Sequence, residues 1–228
     1  MLIVGLQKMT LLDYPDKVAA TIFTYGCNFR CSFCHNPDIV KGAAKVISEE
    51  KILKFLKSRQ KVLDAVCITG GEPTLQPRLT NFIGKLKEMK FLIKLDTNGS
   101  NPDLLNNLIA KKLIDYVAMD IKAPWEKYPL VVCQKIDLDK IKKSVKILMK
   151  GKIDYEFRST ILPTLHSVDD VLQMANQIKG AKKYFIQQFR PTDNLMNPRF
   201  AEEKSFTRKE LNEIQRQIKD YFKICEVR

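Results

Sequence analysis

A chain of 228 residues with 45% hydrophobic content can bury a sizeable core and is expected to form one α/β domain over residues 1–228. No run of about eighteen apolar residues occurs, which excludes a membrane-spanning helix; Lys8 and Asp13 interrupt the apolar start, so no signal peptide is expected. The formal net charge of +13 would suit nucleic acid or an acidic protein partner, but much of it falls on the polar side of amphipathic patterns, as a solvated surface.

Residues 1–16, with the turn-like Asp13-Tyr-Pro-Asp16, are expected to form an N-terminal flap or hairpin. From residue 17 onward, β-branched runs alternate with helical patterns. Strands are predicted over 17–23, 62–69, 91–96, 114–121, 153–161 and 183–188. Helices are predicted over 49–58, 78–89, 102–112, 138–149, 168–178 and 208–222. In the fourth helix Leu138, Ile141, Val145 and Leu148 make the apolar stripe, while Lys140, Lys142, Lys143 and Lys146 occupy the rest. Start signals support several of these helices. Ser48 precedes Glu49 and Glu50, Asn101 precedes Pro102, and Ser167…Asp170 and Thr207…Glu210 have capping-box spacing.

Six β-then-α units in series imply a parallel sheet with right-handed crossovers, closed as a partial barrel or left open and doubly wound. In both cases functional residues gather beyond the carboxyl ends of the strands. The loop after the first strand, residues 24–47, is far longer than a βα connection needs, and such loops usually carry function.

That loop contains Gly26-Cys27-Asn-Phe-Arg-Cys31-Ser-Phe-Cys34-His35, three thiols spaced C-x3-C-x2-C. With no export signal the cysteines belong in a reducing cytoplasm, so a disulfide is disfavoured. Soft thiolates at this spacing suit zinc, with His35 completing a Cys3His set, or a four-iron cluster on three cysteines. In the second case the fourth iron has no protein ligand and can bind a small molecule. Cys67 lies in a predicted strand as a small core residue, and Cys133 and Cys225 have no neighbouring ligand residues. Polar groups and glycines follow nearly every strand: Gly70-Gly71-Glu72-Pro73, Asp96-Thr-Asn98-Gly99, Asp120-Ile-Lys122, Arg158 and Arg190. Each segment alone reads as an ordinary turn or strand end, yet together they surround one mouth.

The cysteine loop after the first strand and the Gly-Gly-Glu-Pro segment after the second resemble the radical S-adenosylmethionine (radical SAM) superfamily, over essentially the whole chain from Lys17. Leu11-Leu-Asp-Tyr-Pro15, Cys34-His35-Asn-Pro37, Asp96-Thr-Asn-Gly99 and Asp120-Ile-Lys122 further resemble glycyl-radical-enzyme activating proteins. Within these, the chain is most similar to activating proteins of anaerobic ribonucleoside-triphosphate reductase. The resemblance implies a partial (β/α)6 barrel of parallel strands. It also implies one [4Fe-4S] cluster on Cys27, Cys31 and Cys34, with S-adenosyl-L-methionine chelating the fourth iron.

By the same resemblance the backbone around Phe33 to His35 would lie against the adenine. Gly70, Gly71 and Glu72 would receive the methionine amino group, and Asp96, Asn98, Lys122 and Arg158 would contact the rest of the cofactor. Arg190 falls where related activators carry a ribose-contacting histidine. The implied reaction is reductive cleavage to a 5′-deoxyadenosyl radical, which takes a hydrogen from a glycine of a partner glycyl-radical enzyme. Reduced flavodoxin or ferredoxin would supply the electron. The same cluster motif also serves radical enzymes that modify a small molecule or peptide. A third alternative, a zinc-stabilised nucleic-acid-binding module, lacks the aromatic-interleaved basic motifs it would need.

Overall fold

Apolar residues at alternate strand positions decide the architecture, because a strand sends successive side chains to opposite faces. A computed structural model describes residues 1–42 and 44–228; residue 43, inside the long loop 24–47, lies outside the described residues. Eight strands form one sheet in sequential order: β1 (Ile3–Thr10), β2 (Ala19–Thr24), β3 (Ala65–Gly70), β4 (Leu92–Thr97), β5 (Tyr116–Asp120), β6 (Asp154–Ile161), β7 (Lys183–Gln188) and β8 (Ile224–Val227). β1 runs antiparallel to β2, and every later pair is parallel.

The helices are α1 (Pro37–Lys41), α2 (Glu49–Ser58), α3 (Leu79–Glu88), α4 (Pro102–Ala110), α5 (Tyr128–Val132), α6 (Leu138–Met149), α7 (Val168–Gln177) and α8 (Arg208–Ile218). Among the described residues no helix is long and apolar enough to cross a membrane. The fold is a partial (β/α)6 barrel, extended by β1 at one edge and β8 at the other.

The outer face of the sheet carries Ile22, Ile68, Leu95, Val117, Phe157 and Ile186, all fully buried in the core shared with the helices. Each such side chain contributes about 1.5–3 kcal/mol of transfer free energy. The inner face differs. At its N-terminal end Ala19, Ala65 and Leu92 stand side by side, and with Tyr14 and Tyr116 they make a separate apolar cluster. Further along the strands Thr21, Cys67 and Lys94 are the adjacent partners, so the interior turns polar toward the carboxyl ends.

Local chemistry fixes the helix starts. Ser48 accepts from the Lys51 N–H, and Asn101 accepts from Leu104 N–H with Pro102 in the first turn. Ser167 with Asp170, and Thr207 with Glu210, each form a reciprocal capping box.

Several elements differ from the sequence-based expectation, among them the short helices α1 and α5, which no helical pattern marked. Residues 3–10 join the main sheet as edge strand β1, which carries Gln7, Lys8 and Met9 on exposed positions. The last helix ends at Ile218, because Lys219–Tyr221 tighten into a 3-10 turn that feeds the short strand β8.

Candidate cofactor site

The cysteine loop leaves β2 and is anchored by two phenylalanines. Phe29 and Phe33 are 3% and 4% exposed, so the chain between the thiols is tied to the core. Phe29 meets Tyr128 edge-on at 6.4 Å, and Phe33 meets both His166 and Phe189 edge-on at 6.4 Å. Cys34 N–H donates to the Cys31 carbonyl at 3.0 Å, closing the turn between those two thiols. Phe29 N–H donates to Cys27 Sγ at 3.3 Å, and Asn36 N–H donates to Cys34 Sγ at 3.4 Å. Burial pushes the Cys27 thiol up to about 11 and the Cys31 thiol to about 12, so metal binding must displace their protons.

The Gly70–Gly71 pair exists because two backbones touch there. A Cβ on Gly70, which has φ +116°, would lie 2.3 Å from Thr24 N. Gly71 N–H donates to the Thr24 carbonyl and Glu72 N–H to the Gly26 carbonyl, so the turn after β3 is laced to the loop entry. Glu72 then points away from the mouth. Its carboxylate is 1% exposed and accepts from Thr74 N–H, the Thr74 and Thr97 hydroxyls, and Asn98 N–H at 2.6–3.0 Å. Burial raises its pKa against the opposing pull of those donors.

Across the mouth lies a chain of alternating charges. Lys94 donates to Asp96 Oδ1 at 2.5 Å and Arg158 Nη1 to Asp96 Oδ2 at 3.1 Å. Arg158 Nε donates to Asp120 Oδ1 at 3.0 Å, and Lys122 to Asp120 Oδ2 at 2.9 Å. Register explains the pairing, since Asp120 and Arg158 are direct partners on β5 and β6. Burial alone would raise the Asp120 carboxyl, but Lys122 and Arg158 outweigh it and pull it down to about 2. Three cations against two carboxylates leave this chain with a net positive charge.

One cavity of about 210 Å³ brings most of the expected residues together: Cys27, Cys31, Cys34, Phe33, His35, Gly70, Gly71, Asp96, Asn98, Lys122 and Arg158 all line it. Glu72 does not, being used up as a brace between the ends of β3 and β4. Arg190 is exposed and also stands off the cavity, where the chain turns away after Phe189. Cys67 is buried as expected but sits among charges rather than in the apolar core, with its Sγ 3.7 Å from Asp96 Oδ1 and 3.9 Å from Lys94 Nζ. Sequence reasoning placed Asp120 at the mouth without giving it a role, and it missed Lys94 as a member of the charge chain. Lys94 had a signal: it is a charged residue within the apolar run Leu92–Leu95, two positions from Asp96 and hence on the same strand face.

Three soft thiols facing one cavity are a donor set suited to an iron–sulfur cluster. His35 lies tilted against Phe189 with ring centroids 5.6 Å apart, and its Nδ1 is 3.4 Å from the Thr192 hydroxyl.

Residues 21–178 match the Radical SAM superfamily. A Methanocaldococcus jannaschii protein named as a glycyl-radical enzyme activating enzyme is 37% identical over 200 residues, covering 84% of this chain and 81% of its own. The pyruvate formate-lyase-activating enzyme of Clostridium pasteurianum is 31% identical over 187 residues, 78% of this chain and 76% of that protein. Streptococcus suis SuiB bound to S-adenosylmethionine shares the fold at TM-score 0.68 and 14% identity. The alignment covers 88% of this chain, which spans about half (48%) of the SuiB chain. Its fold, its thiol loop and this sequence match together place the chain in the radical SAM superfamily, enzymes that use a [4Fe-4S] cluster and S-adenosylmethionine, alongside the glycyl-radical enzyme activating enzymes.

Proposed function

We propose that this chain installs a glycyl radical on a partner enzyme, and that the partner is an anaerobic ribonucleoside-triphosphate reductase. The observation that carries this reading is that three cluster-type thiols and a net-positive charge chain face one cavity, in a sheet left unclosed between β1 and β8. An unclosed side would give a polypeptide segment access to the reacting centre. When bound, the cluster supplies the single electron that cleaves S-adenosylmethionine reductively.

The chain's own residues then bind, orient and shield. Cys27, Cys31 and Cys34 hold three irons. Lys122 and Arg158 offer positive charge to the methionyl carboxylate, while Asp96 and Asp120 keep both cations in place. At Gly70 and Gly71 the backbone is bare of side chains beside the cavity, which suits a compact ammonium group. The backbone from Phe33 to His35 lies against the adenine, and the buried phenylalanines of the loop keep water away. Arg190, being off the cavity, takes no part. The net charge of +13 favours an acidic electron donor such as reduced flavodoxin or ferredoxin, with encounter weakening as salt rises. Residues 1–228 act here as one catalytic domain in the cytoplasm.

The test is anaerobic reconstitution followed by incubation with reductant, S-adenosylmethionine and a co-expressed glycyl-radical reductase. Electron paramagnetic resonance (EPR) should show a glycine-centred doublet on the partner, and air should then cleave it at that site. Hydrogen removal from a small metabolite or peptide, with no radical left on any candidate enzyme, would replace this reading by the modifying-enzyme one.

A further inference from the structure

Two side chains outside the cavity hold Lys122 by its backbone. The Tyr128 hydroxyl accepts from Lys122 N–H at 3.2 Å and donates to the Asp120 carbonyl at 3.4 Å. On the other side Leu162 N–H donates to His166 Nδ1 at 3.3 Å, so the ring proton sits on Nε2 and is donated to the Lys122 carbonyl at 2.8 Å. Tyr128 and His166 are both 0% exposed, so neither bond competes with water.

The same two rings support the thiol loop. Phe29, between Cys27 and Cys31, rests on Tyr128; Phe33, between Cys31 and Cys34, rests on His166. We propose that Tyr128 and His166 are positioning residues that set the Lys122 cation against the three thiols, fixing the span that the cofactor must bridge. Neither ring lines the cavity, so their effect reaches the cofactor only through Lys122 and the loop. Positioning by outer groups of this kind governs affinity, because a ligand held at both ends tolerates little error in their separation.

This inference rests on the cofactor reading above, and the experiment separates the two. Wild type, Tyr128→Phe, His166→Leu and His166→Gln are loaded anaerobically; iron per chain, melting temperature and the Kd of S-adenosylmethionine are measured for each. Tyr128→Phe and His166→Leu should keep their iron while Kd rises roughly 10-fold. His166→Gln can keep a donor near the Nε2 position and should recover most of the affinity, which a purely space-filling role would not require. The inference is overturned if the variants bind as tightly as wild type, or if Kd rises only together with a fall in iron and melting temperature and without rescue by Gln. Wild type that takes up iron but binds no S-adenosylmethionine would sink the cofactor reading and this inference with it.

Discussion

A Cβ on Gly71 would lie 1.9 Å from the carbonyl oxygen of Gly26. The turn after β3 and the entry to the thiol loop are therefore in direct backbone contact, and no side chain fits between them. Gly71→Ala should push the loop off its seat, so that the protein retains less iron after gel filtration than wild type. Gly84→Ala is the control: it lies within α3 facing open space and should raise stability by about 0.5–1 kcal/mol in thermal unfolding. Equal iron retention in Gly71→Ala and wild type would refute the contact's importance.

Cluster assembly should need only the three loop thiols. Cys27→Ala, Cys31→Ala and Cys34→Ala should each abolish S-adenosylmethionine cleavage, whereas Cys67→Ala, Cys133→Ala and Cys225→Ala should retain it. Cys133 is the sharpest case, because it is exposed and its Sγ lies 3.3 Å from the Ser32 hydroxyl inside the loop. Loss of the cluster's visible absorption in Cys133→Ala would contradict the three-ligand assignment.

Glu72 should behave as a brace. Glu72→Gln keeps one oxygen for the Thr74 and Thr97 donors but turns the other into an amide donor facing Asn98 N–H. A cost of about 1–3 kcal/mol is expected in denaturant unfolding, and it should appear in the metal-free protein as well. A variant as stable as wild type, with weakened cofactor binding alone, would return Glu72 to the cofactor.

Asp120 should carry an acid-sensitive share of stability. Its folded pKa of about 2 lies below the usual 3.8, so its ionised form is stabilised by folding. The contribution is present above about pH 4 and is lost as pH falls toward 2; the shift corresponds to on the order of 2 kcal/mol. Asp120→Asn should be less stable than wild type at pH 5, and the gap should narrow between pH 4 and 2. A gap that stays constant across this range would show that the Lys122 and Arg158 pairs contribute nothing to folding.

Much of the fold was legible because period-two and helical patterns alternate six times, and because Ser48, Asn101, Ser167 and Thr207 mark helix starts through local hydrogen bonds. β1 was hidden, since an edge strand can expose Gln7, Lys8 and Met9 and so lose its alternation. β8, at four residues, was too short to show any period. In the site, the thiols and the strand-end glycines and charges were visible as residue types. What could not be read was which carboxylate was already spoken for. Nothing local in Gly-Gly-Glu-Pro tells that Thr97 and Asn98, some 25 residues on, will saturate Glu72. Nor does the text of the chain say that Lys94 and Arg158 will divide the two oxygens of Asp96 between them.

The aromatic pair Tyr14 and Tyr116, 5.8 Å apart, fills the inner face of the sheet at the N-terminal ends of its strands. The partial barrel is thus a cul-de-sac rather than a tunnel. Traffic at the thiols is two-way through the doorway made by the strand ends and the unclosed side between β1 and β8, so what arrives there must also leave there. Whatever docks across that doorway therefore decides both when the reaction starts and when the enzyme is ready to repeat it.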